Sequence, residues 1–284
     1  MRLLTKTLPN HFNLFLFGDS HLGAKASTLS GWGKLVESIN SPYDGCSNNF
    51  GIDGGDMIEA ITIDDPRFSP DKMDEPLPLQ QIKMAIKMRE PIKDKLMCIL
   101  QGNHERKLWR FGDITKEVCQ ELGVEFATYT AKINILNSKG KLMFKIYETH
   151  GLRSINSNAR DPIQRQANEK IRLKNLLFTQ ASDCVLMVRH HSHKVIVSEP
   201  SQELYLYDDG KKIKQGYTTA IQNAEHIDPN SRWYVLAGSF LRLFVEGLST
   251  YSEVAEYKPT ELGYAVAVIR DGKVRRVDPI YLKI

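Results

Sequence analysis

The stretch LFLFGDSH at residues 14–21 decides the fold class. Its four consecutive apolar residues are typical of a β-strand buried on both faces, since such a strand has no polar face to alternate with. A glycine and two side chains that can bind metals, Asp19 and His21, follow directly. Ligands of open α/β sheets bind beyond the carboxyl ends of the strands, so this stretch predicts a sheet strand that ends in a functional site.

The same arrangement recurs four times along the chain. Apolar runs that begin at residues 49, 97, 144 and 184 are each followed by residues able to bind an ion or a proton, in the order DGGD (53–56), GNHE (102–105), ETHG (148–151) and RHHSH (189–193). Short apolar runs closed by glycine or polar clusters predict buried strands. Five strands would therefore deliver polar side chains to one end of a mixed α/β fold.

The intervening segments predict helices and turns. Leu79, Ile82 and Ile86 have helical spacing and define one apolar face, while Val118 and Leu122 predict a second helix that ends at Gly123. Residues 163–177 predict a third helix. Hairpin turns are expected at residues 137–140, 208–211 and 270–273, the last two because each contains Asp-Gly. Residues 60–78, rich in proline and acidic residues, predict a surface insert.

Composition limits the class of protein. With 284 residues, 42% hydrophobic and 25% charged, the chain is an ordinary globular protein rather than a disordered or fibrous one. We expect one domain over residues 1–284, with 194–284 as its hairpin-rich C-terminal part. The four cysteines form no metal-binding or disulfide pattern, and no apolar run is long enough to span a membrane. These features predict a cytoplasmic protein, and a net charge of +4 is too small to indicate a partner.

The polar residues at the predicted strand ends form a set of metal-ligand types. Asp19 and His21, two residues apart, would share one side of an extended backbone, and a second pair of histidines at 191 and 193 has the same spacing. Asp56 follows two glycines, which would let the backbone approach an ion closely. Carboxylate, amide and imidazole ligands suit Mn, Fe, Zn, Co or Ni. A carboxylate that bridges two such ions would form a dinuclear site able to clamp a phosphoryl group.

In this order, the motifs Asp-x-His, Gly-Asp, Gly-Asn-His-Glu, His and His-x-His resemble those of the calcineurin-like metallophosphoesterases. The resemblance covers residues 19–193, and as a set the motifs are highly specific. It implies a four-layer αββα sandwich of two mixed sheets flanked by helices. It also implies two divalent metal ions, with Mn preferred and Fe, Zn, Ni or Co as alternatives.

Residue by residue, the resemblance implies one metal held by Asp19, His21 and His193. A second metal would be held by Asn103, His150 and His191, and Asp56 would bridge the two ions. His104 would lie beside the substrate phosphate as the catalytic residue, stabilising charge or protonating the leaving oxygen. A hydroxide bridging the metals would be the nucleophile.

Two positions leave alternatives open. The family has glycine before its last His-x-His motif, where this chain has His190. We choose His191 and His193 as ligands because they keep the spacing, and assign His190 a structural or supporting role that requires a negative φ. Asp53 competes with Asp56 for the bridging position. The apolar residues and the acid after Asp56 favour Asp56, which leaves Asp53 as a turn carboxylate.

The motifs also bear on the substrate. The protein Ser/Thr phosphatase branch has Asp-Arg-Gly after its Gly-Asp motif, and this chain lacks that arginine. The opening GDSHLG is similar to that of the DNA-repair exonuclease branch. In addition, residues 151–175 contain six basic side chains and only two acidic ones. Such a stretch could neutralise nucleic-acid phosphates. Arg106, Arg110 and Arg153 could contact the phosphate, and Trp32 and Trp109 could stack on bases.

The leading hypothesis is a metal-dependent hydrolase of phosphodiester bonds acting on nucleic acid, a nuclease. One alternative is a phosphomonoesterase or nucleotide pyrophosphatase with a small or protein substrate. An alternative of another class is a non-catalytic binding module on the same fold. The complete ligand set and the intact His104 argue against the last, and we expect no membrane partner.

Overall fold

The computed structural model describes residues 1–283 and contains thirteen strands and six α-helices in this part of the chain. The strands are β1 Arg2–Thr7, β2 Phe12–Phe17, β3 Asn49–Asp53, β4 Leu96–Ile99, β5 Thr130–Leu136, β6 Leu142–Thr149, β7 Leu186–Arg189, β8 Val195–Ser198, β9 Leu204–Asp208, β10 Ile213–Tyr217, β11 Trp233–Ala237, β12 Gly263–Arg270 and β13 Lys273–Tyr281. The helices are α1 Leu29–Asn40, α2 Pro78–Arg89, α3 Asn103–Lys107, α4 Ile114–Leu122, α5 Pro162–Leu177 and α6 Tyr251–Val254.

Two large mixed sheets form the centre of the fold. The five-stranded sheet has the order β13-β12-β2-β3-β4, and its strands β2, β3 and β4 run parallel. The six-stranded sheet has the order β1-β5-β6-β7-β11-β8, in which β6, β7 and β11 run parallel. All five strands predicted from apolar runs are present, and each run lies in or overlaps a strand.

Apolar side chains fill three layers. One cluster joins the inner faces of the two sheets and includes Leu14 and Ile133. A second covers the outer face of the five-stranded sheet with α1, α2 and α4, where Phe17 packs edge-on against Trp32 with ring centroids 5.6 Å apart. A third, smaller cluster packs α5 on the outer face of the six-stranded sheet. The predicted fold class, two mixed sheets flanked by helices, is confirmed.

Helix α2 forms where its spacing predicts, and Ile82 and Ile86 of the predicted apolar face pack against the core, but Leu79 does not. Leu79 is 62% exposed, and the fully buried positions of the helix are Gln81, Ala85 and Arg89. These three lie four residues apart and therefore share one face. The Gln81 amide accepts a hydrogen bond from the Ala60 N–H at 3.0 Å, so polar contacts to neighbouring loops decide which face is buried.

The other local predictions agree with the structure. Helix α4 ends at Gly123, which has a left-handed φ of 68°, and α5 spans the predicted third helix. All three predicted turns connect antiparallel strands. At the last turn Asp271 and Gly272 both have positive φ, as a tight two-residue hairpin requires.

Residues 194–283 contribute to both large sheets rather than forming a separate layer. Strands β8 and β11 extend the six-stranded sheet, and β12 and β13 extend the five-stranded one. Strands β9 and β10 form a two-stranded sheet of their own, with every residue of β9 exposed. The insert at 60–78 contains a 3₁₀ turn at Pro70–Lys72 and bonds to the loop after His21 through Lys25 N–H and Lys72 O, 2.9 Å apart. Within residues 1–283, no helix has the length and apolar character needed to cross a bilayer.

Candidate metal centre

The predicted ligands come together where strand ends of the two sheets meet. Asp19 and His21 follow β2, Asp56 follows β3, and Asn103 begins α3 directly after β4. His150 follows β6, and the pair at 191 and 193 follows β7, both in the other sheet. The loops of the two sheets are joined by hydrogen bonds such as the one from the His191 N–H to Asp19 Oδ2, 3.2 Å long. The site therefore depends on both sheets.

The backbone at these residues is left-handed rather than extended. Among residues 1–283, ten non-glycine residues have a positive φ, and five of them are predicted ligands: Asp19, His21, Asp56, His191 and His193. Each such residue costs about 1–3 kcal/mol unless its surroundings hold it in place, and this kind of strain concentrates at functional sites. The expected extended geometry at residues 19–21 is thus wrong, although the side chains still converge.

A first cluster consists of Asp19, His21 and His193, whose ligand atoms all lie within 4.8 Å of one another. The Nε2 atoms of His21 and His193 are 3.2 Å apart, and His193 Nε2 lies 3.3 Å from Asp19 Oδ1. Two neutral imidazoles can place only one proton between facing nitrogens. The three ligand atoms therefore face one point, as they do in a cation site.

A second cluster consists of Asp56, His150 and His191, again with ligand atoms within 4.8 Å. His150 Nε2 lies 3.3 Å from Asp56 Oδ2 and 3.0 Å from Asn103 Oδ1. The amide oxygen of Asn103 thus faces the same point as the imidazole. The four histidines divide between the clusters as the family resemblance implies, and their assignment to two metals stays a prediction.

Asp56 belongs to the second cluster and also faces the first. Its Oδ2 is 3.7 Å from His21 Nε2 in the first cluster and 3.3 Å from His150 Nε2 in the second. Its Oδ1 accepts a hydrogen bond from the His104 N–H at 2.8 Å, which holds the carboxylate in place. One oxygen of Asp56 therefore lies within 3.7 Å of an imidazole nitrogen of each cluster, and its role as a bridge between two ions stays a prediction.

Two hydrogen bonds orient the imidazoles. His21 Nδ1 lies 2.8 Å from Glu59 Oε2, and His150 Nδ1 lies 2.7 Å from the Gly54 carbonyl oxygen. A proton on Nδ1 leaves Nε2 as the lone-pair atom, and partners of this kind fix the tautomer of metal-binding histidines. Glu59 was not predicted to act on the site, although its position three residues after Asp56 offered a signal.

Burial and neighbouring charges shift the pKa values of the cluster residues in different directions. Burial lowers the pKa of His21, but the carboxylates of Glu59, Asp56 and Asp19 outweigh it and raise the pKa to about 9. The same balance, set mainly by Asp56, raises the pKa of His150 to about 9. Burial lowers the pKa of His191 to about 4. Burial acts to raise the pKa of Asp19, yet the neighbouring His193 brings it down to about 2.

The donor set fits divalent metal ions. Asp19 Oδ1 is fully buried and accepts no well-aligned hydrogen bond from the described residues, although His193 Nε2 lies 3.3 Å away, and His191 Nδ1 is also without a hydrogen-bond partner among them. A buried carboxylate oxygen without a partner is costly unless a cation neutralises it. Imidazole, carboxylate and amide donors together suit first-row transition metals better than calcium.

His104 belongs to a third group of nearby ligand atoms, with His21 and Glu59. Its Nδ1 contacts the Glu59 carbonyl oxygen, and its ring lies edge-on to that of His21 with centroids 4.6 Å apart. Burial lowers the pKa of His104 to about 4. His104 therefore lies beside the first cluster with Nε2 as its remaining ring nitrogen.

Asp53 and His190, whose roles the sequence left open, each have defined hydrogen-bond partners. Asp53 accepts a hydrogen bond from the Arg89 Nε at 2.7 Å within a fully buried ion pair, and its other oxygen accepts one from the Gly55 N–H. Asp53 thus faces α2 rather than the clusters. His190 has no positive φ and bonds to Glu148 Oε1 at 2.8 Å.

Gly54 has a different role from the one expected. A Cβ on Gly54 would lie 2.2 Å from the His190 ring. This glycine therefore makes room for an imidazole that supports the β7 loop, rather than for an ion.

Glu105 is a supporting residue that the sequence reasoning treated only as part of a motif. Its buried carboxylate accepts hydrogen bonds from the N–H groups of Asp56, Met57, Ile58 and Gly102. Burial raises its pKa to about 7. One carboxylate thus joins the loop that carries Asp56 to the loop that carries Asn103 and His104.

The two candidate substrate-binding arginines differ in position. The Arg106 guanidinium lies over the Tyr129 ring, 5.8 Å from its centroid, and that ring packs edge-on against His150 at 5.5 Å. Arg153 has an exposed side chain, and its carbonyl oxygen accepts hydrogen bonds from Arg189 and Ser192. Arg106 therefore lies within one ring of the second cluster, whereas Arg153 contacts the β7 loop through its backbone.

Comparison with known proteins adds little to this geometry. No protein-family model matches the chain, and no curated protein matches it. Among solved structures, the NAD nucleotidase NadN of Haemophilus influenzae aligns with 96% of this chain and 50% of its own, at 10% identity and a TM-score of 0.43. The chain spans about half the length of that protein. A likeness this remote carries no argument about activity.

Proposed function

We propose that this protein is a metal-dependent phosphoesterase that hydrolyses phosphodiester bonds, with nucleic acid as its substrate. The observation that carries the proposal is the position of Asp56 between two clusters of ligand atoms, each completed by residues from both sheets. A carboxylate shared by two cation sites is the arrangement that clamps a phosphoryl group during in-line displacement.

In this proposal Asp19, His21 and His193 hold one ion, and Asn103, His150 and His191 hold the other. Divalent ions bound there would lower the pKa of water and withdraw charge from a phosphoryl group. Glu59 and the Gly54 carbonyl keep His21 and His150 in the tautomer that presents Nε2. The strained loops and Glu105 hold the donors in position before substrate arrives, so little reorganisation accompanies the reaction.

His104 is the proposed catalytic residue. Its Nδ1 contacts a backbone carbonyl, which leaves Nε2 for the substrate. Because burial lowers its pKa to about 4, the imidazole of the free protein is neutral at pH 7. An anionic phosphoester beside the ring would raise that pKa, since a nearby negative charge favours the protonated form. His104 could then stabilise charge on the phosphate or protonate the leaving oxygen.

Two features support a diester over a monoester. A monoester carries an additional negative charge, and the chain has Met57-Ile58-Glu59 in place of an Asp-Arg-Gly clamp. In addition, α5 lies close to the site, because Glu169 on this helix bonds to Lys194, next to His193, at 2.7 Å. Arg165 and Lys170 of α5 line a groove of about 440 Å³ together with β8 and β13. Basic side chains along such a groove could contact a nucleic-acid backbone.

Two of the six basic residues at 151–175 already form hydrogen bonds to other residues of the protein. Arg172 donates to the Asn156 carbonyl oxygen, and Lys174 donates to the Asn230 side chain. Glu199 and Glu261 also line the groove and reduce its positive charge. Phosphomonoester or nucleotide pyrophosphate hydrolysis therefore remains the second candidate, favoured by this mixed charge.

Parallel assays of the Mn²⁺-loaded protein distinguish these reactions. We expect faster hydrolysis of bis-p-nitrophenyl phosphate than of p-nitrophenyl phosphate, and cleavage of single- or double-stranded DNA that weakens as salt increases. A strong preference for the monoester, with no salt-dependent binding of DNA, would establish the second candidate instead. Tight substrate binding without turnover under any metal would indicate a binding module.

A further inference from the structure

A cavity next to the second cluster has no role in the chemistry described so far. It has a volume of about 440 Å³, which is within the range of small-molecule sites. It lies between the start of the chain, the residues around α3 and the loop before β5. Its lining includes Gln101, Arg106, Trp109, Asp113, Thr128 and Tyr129.

Tyr129 forms a fixed wall between this cavity and the metal centre. Its hydroxyl donates to the Gly151 carbonyl oxygen at 2.6 Å, and its own carbonyl accepts the His150 N–H at 3.1 Å. Its ring packs against His150 on one side and carries the Arg106 guanidinium at 5.8 Å. A ligand in the cavity would therefore lie one aromatic ring away from a predicted metal ligand.

Trp109 supplies a second aromatic surface. It begins the 3₁₀ turn Trp109–Phe111 that follows α3 and is 70% exposed. A large aromatic side chain that lines a cavity yet stays in solvent is available for stacking. At the polar end of the cavity, the Gln101 amide donates to Asp113 Oδ1 at 3.1 Å, and these two side chains could bond to the edge of a heterocycle.

We propose that this cavity binds the base of a nucleotide, stacked on Trp109, while the phosphate lies at the metal centre. The inference rests on the proposed phosphoesterase function. Stacking suits a substrate of varied sequence, because every base has a π-face. The cation of Arg106 lines the cavity and lies over the Tyr129 ring, where it can contact either the base or the phosphate.

Binding measurements test the base site separately from turnover. Trp109 is the one exposed tryptophan of three, since Trp32 and Trp233 are 3% and 6% exposed. Adenosine 5′-monophosphate should therefore quench the protein fluorescence, and ribose 5-phosphate should not. Calorimetry on the Mn²⁺-loaded protein gives both affinities, with phosphate release followed in the same samples.

Variants make the test specific. Trp109→Ala should weaken binding of adenosine 5′-monophosphate by about 5- to 150-fold, the usual contribution of one stacked base, and leave ribose 5-phosphate unchanged. Trp109→Phe should restore most of the affinity. Phe111→Ala is the matched control, because Phe111 is 77% exposed in the same turn but does not line the cavity.

The outcomes separate the two proposals. The base site would be overturned if Trp109→Ala bound the nucleotide as tightly as the unchanged protein does. It would also be overturned if the protein bound nucleotide and sugar phosphate equally well. Either result would count against the base site even if phosphoesters are hydrolysed. Trp109-dependent nucleotide binding without hydrolysis of any phosphoester would overturn the function and leave the base site. A short single-stranded DNA as third probe identifies the source of the base, free nucleotide or nucleic acid, by which of the two binds more tightly through Trp109.

Discussion

The two ligand clusters differ in how their histidines are held. In the first cluster, His21 is oriented by the carboxylate of Glu59, and the side chain of His193 is 18% exposed. In the second cluster, the fully buried His150 is oriented by a neutral backbone carbonyl. A charged partner raises the basicity of an imidazole ligand more than a neutral one does. The first site therefore depends on a side chain that can be replaced, and the second depends on the backbone.

Asp56→Asn should have the largest effect, because it removes the negative charge that the two clusters share. We expect loss of hydrolysis and reduced metal content at both sites, beyond the effect of replacing any one of the other ligands. Metal analysis of the purified variant, beside Asp53→Asn as the matched change, measures this. Two tightly bound metals and full activity in Asp56→Asn would show that the clusters are independent and that Asp56 is not a bridge.

His104→Ala should lower turnover without changing metal binding at either cluster. General acid–base assistance contributes about 10²–10⁴-fold, so a loss of that size is expected with both metals retained. The loss should be smaller for a diester with a good leaving group, which needs little protonation. Loss of metal would identify His104 as a ligand, through the group it forms with His21 and Glu59. Unchanged turnover on both substrates would show that another residue has the catalytic role.

Glu59→Gln should separate the clusters. The change keeps the shape of the side chain but removes the charge beside His21 Nδ1, and loss of such a partner typically weakens metal affinity about 10- to 100-fold. Only the first site should weaken, which two-step metal titration by calorimetry would show. An equal loss at both sites would mean that Glu59 acts on Asp56 and the whole centre instead.

The sequence predicted the strand ends better than it predicted what supports them. Apolar runs located β2, β3, β4, β6 and β7, because buried strands need continuous apolar residues. The pairing of ligands across two sheets came from the family resemblance, since no local pattern reveals which loops meet in space. The residue assignments themselves stay predictions until metals are measured.

Three misses share one physical cause. Gln81 and Arg89 of α2 and Glu105 of α3 are polar side chains whose burial hydrophobic spacing does not predict. Each bonds to loop backbone or to a buried charge near the centre, a need that hydrophobic spacing does not report. The left-handed backbone at Asp19 and His21 was also outside such patterns, because side-chain alternation assumes an extended chain.

The last and smallest effect concerns protons, and it compares the clusters directly. In the metal-free protein, the pKa of His21 and that of His150 are both raised to about 9, so each cluster holds one protonated imidazole at pH 7. A metal must displace that proton. Affinity at each site should therefore fall about tenfold for each pH unit below 9 and level off above it.

The same two histidines make the free energy of unfolding of the metal-free protein fall as the pH rises. A raised histidine pKa stabilises the fold fully below the unfolded value of about 6.5, and this stability is lost as pH rises toward 9. Calorimetry in buffers of different ionisation enthalpy counts the protons released at each step of Mn²⁺ addition, and thermal unfolding of the metal-free protein measures stability from pH 6.5 to 8.5. Release of one proton at each step is expected. Release at the first step alone would show that only one of the two imidazoles is charged, and that the two clusters differ in charge as well as in their partners.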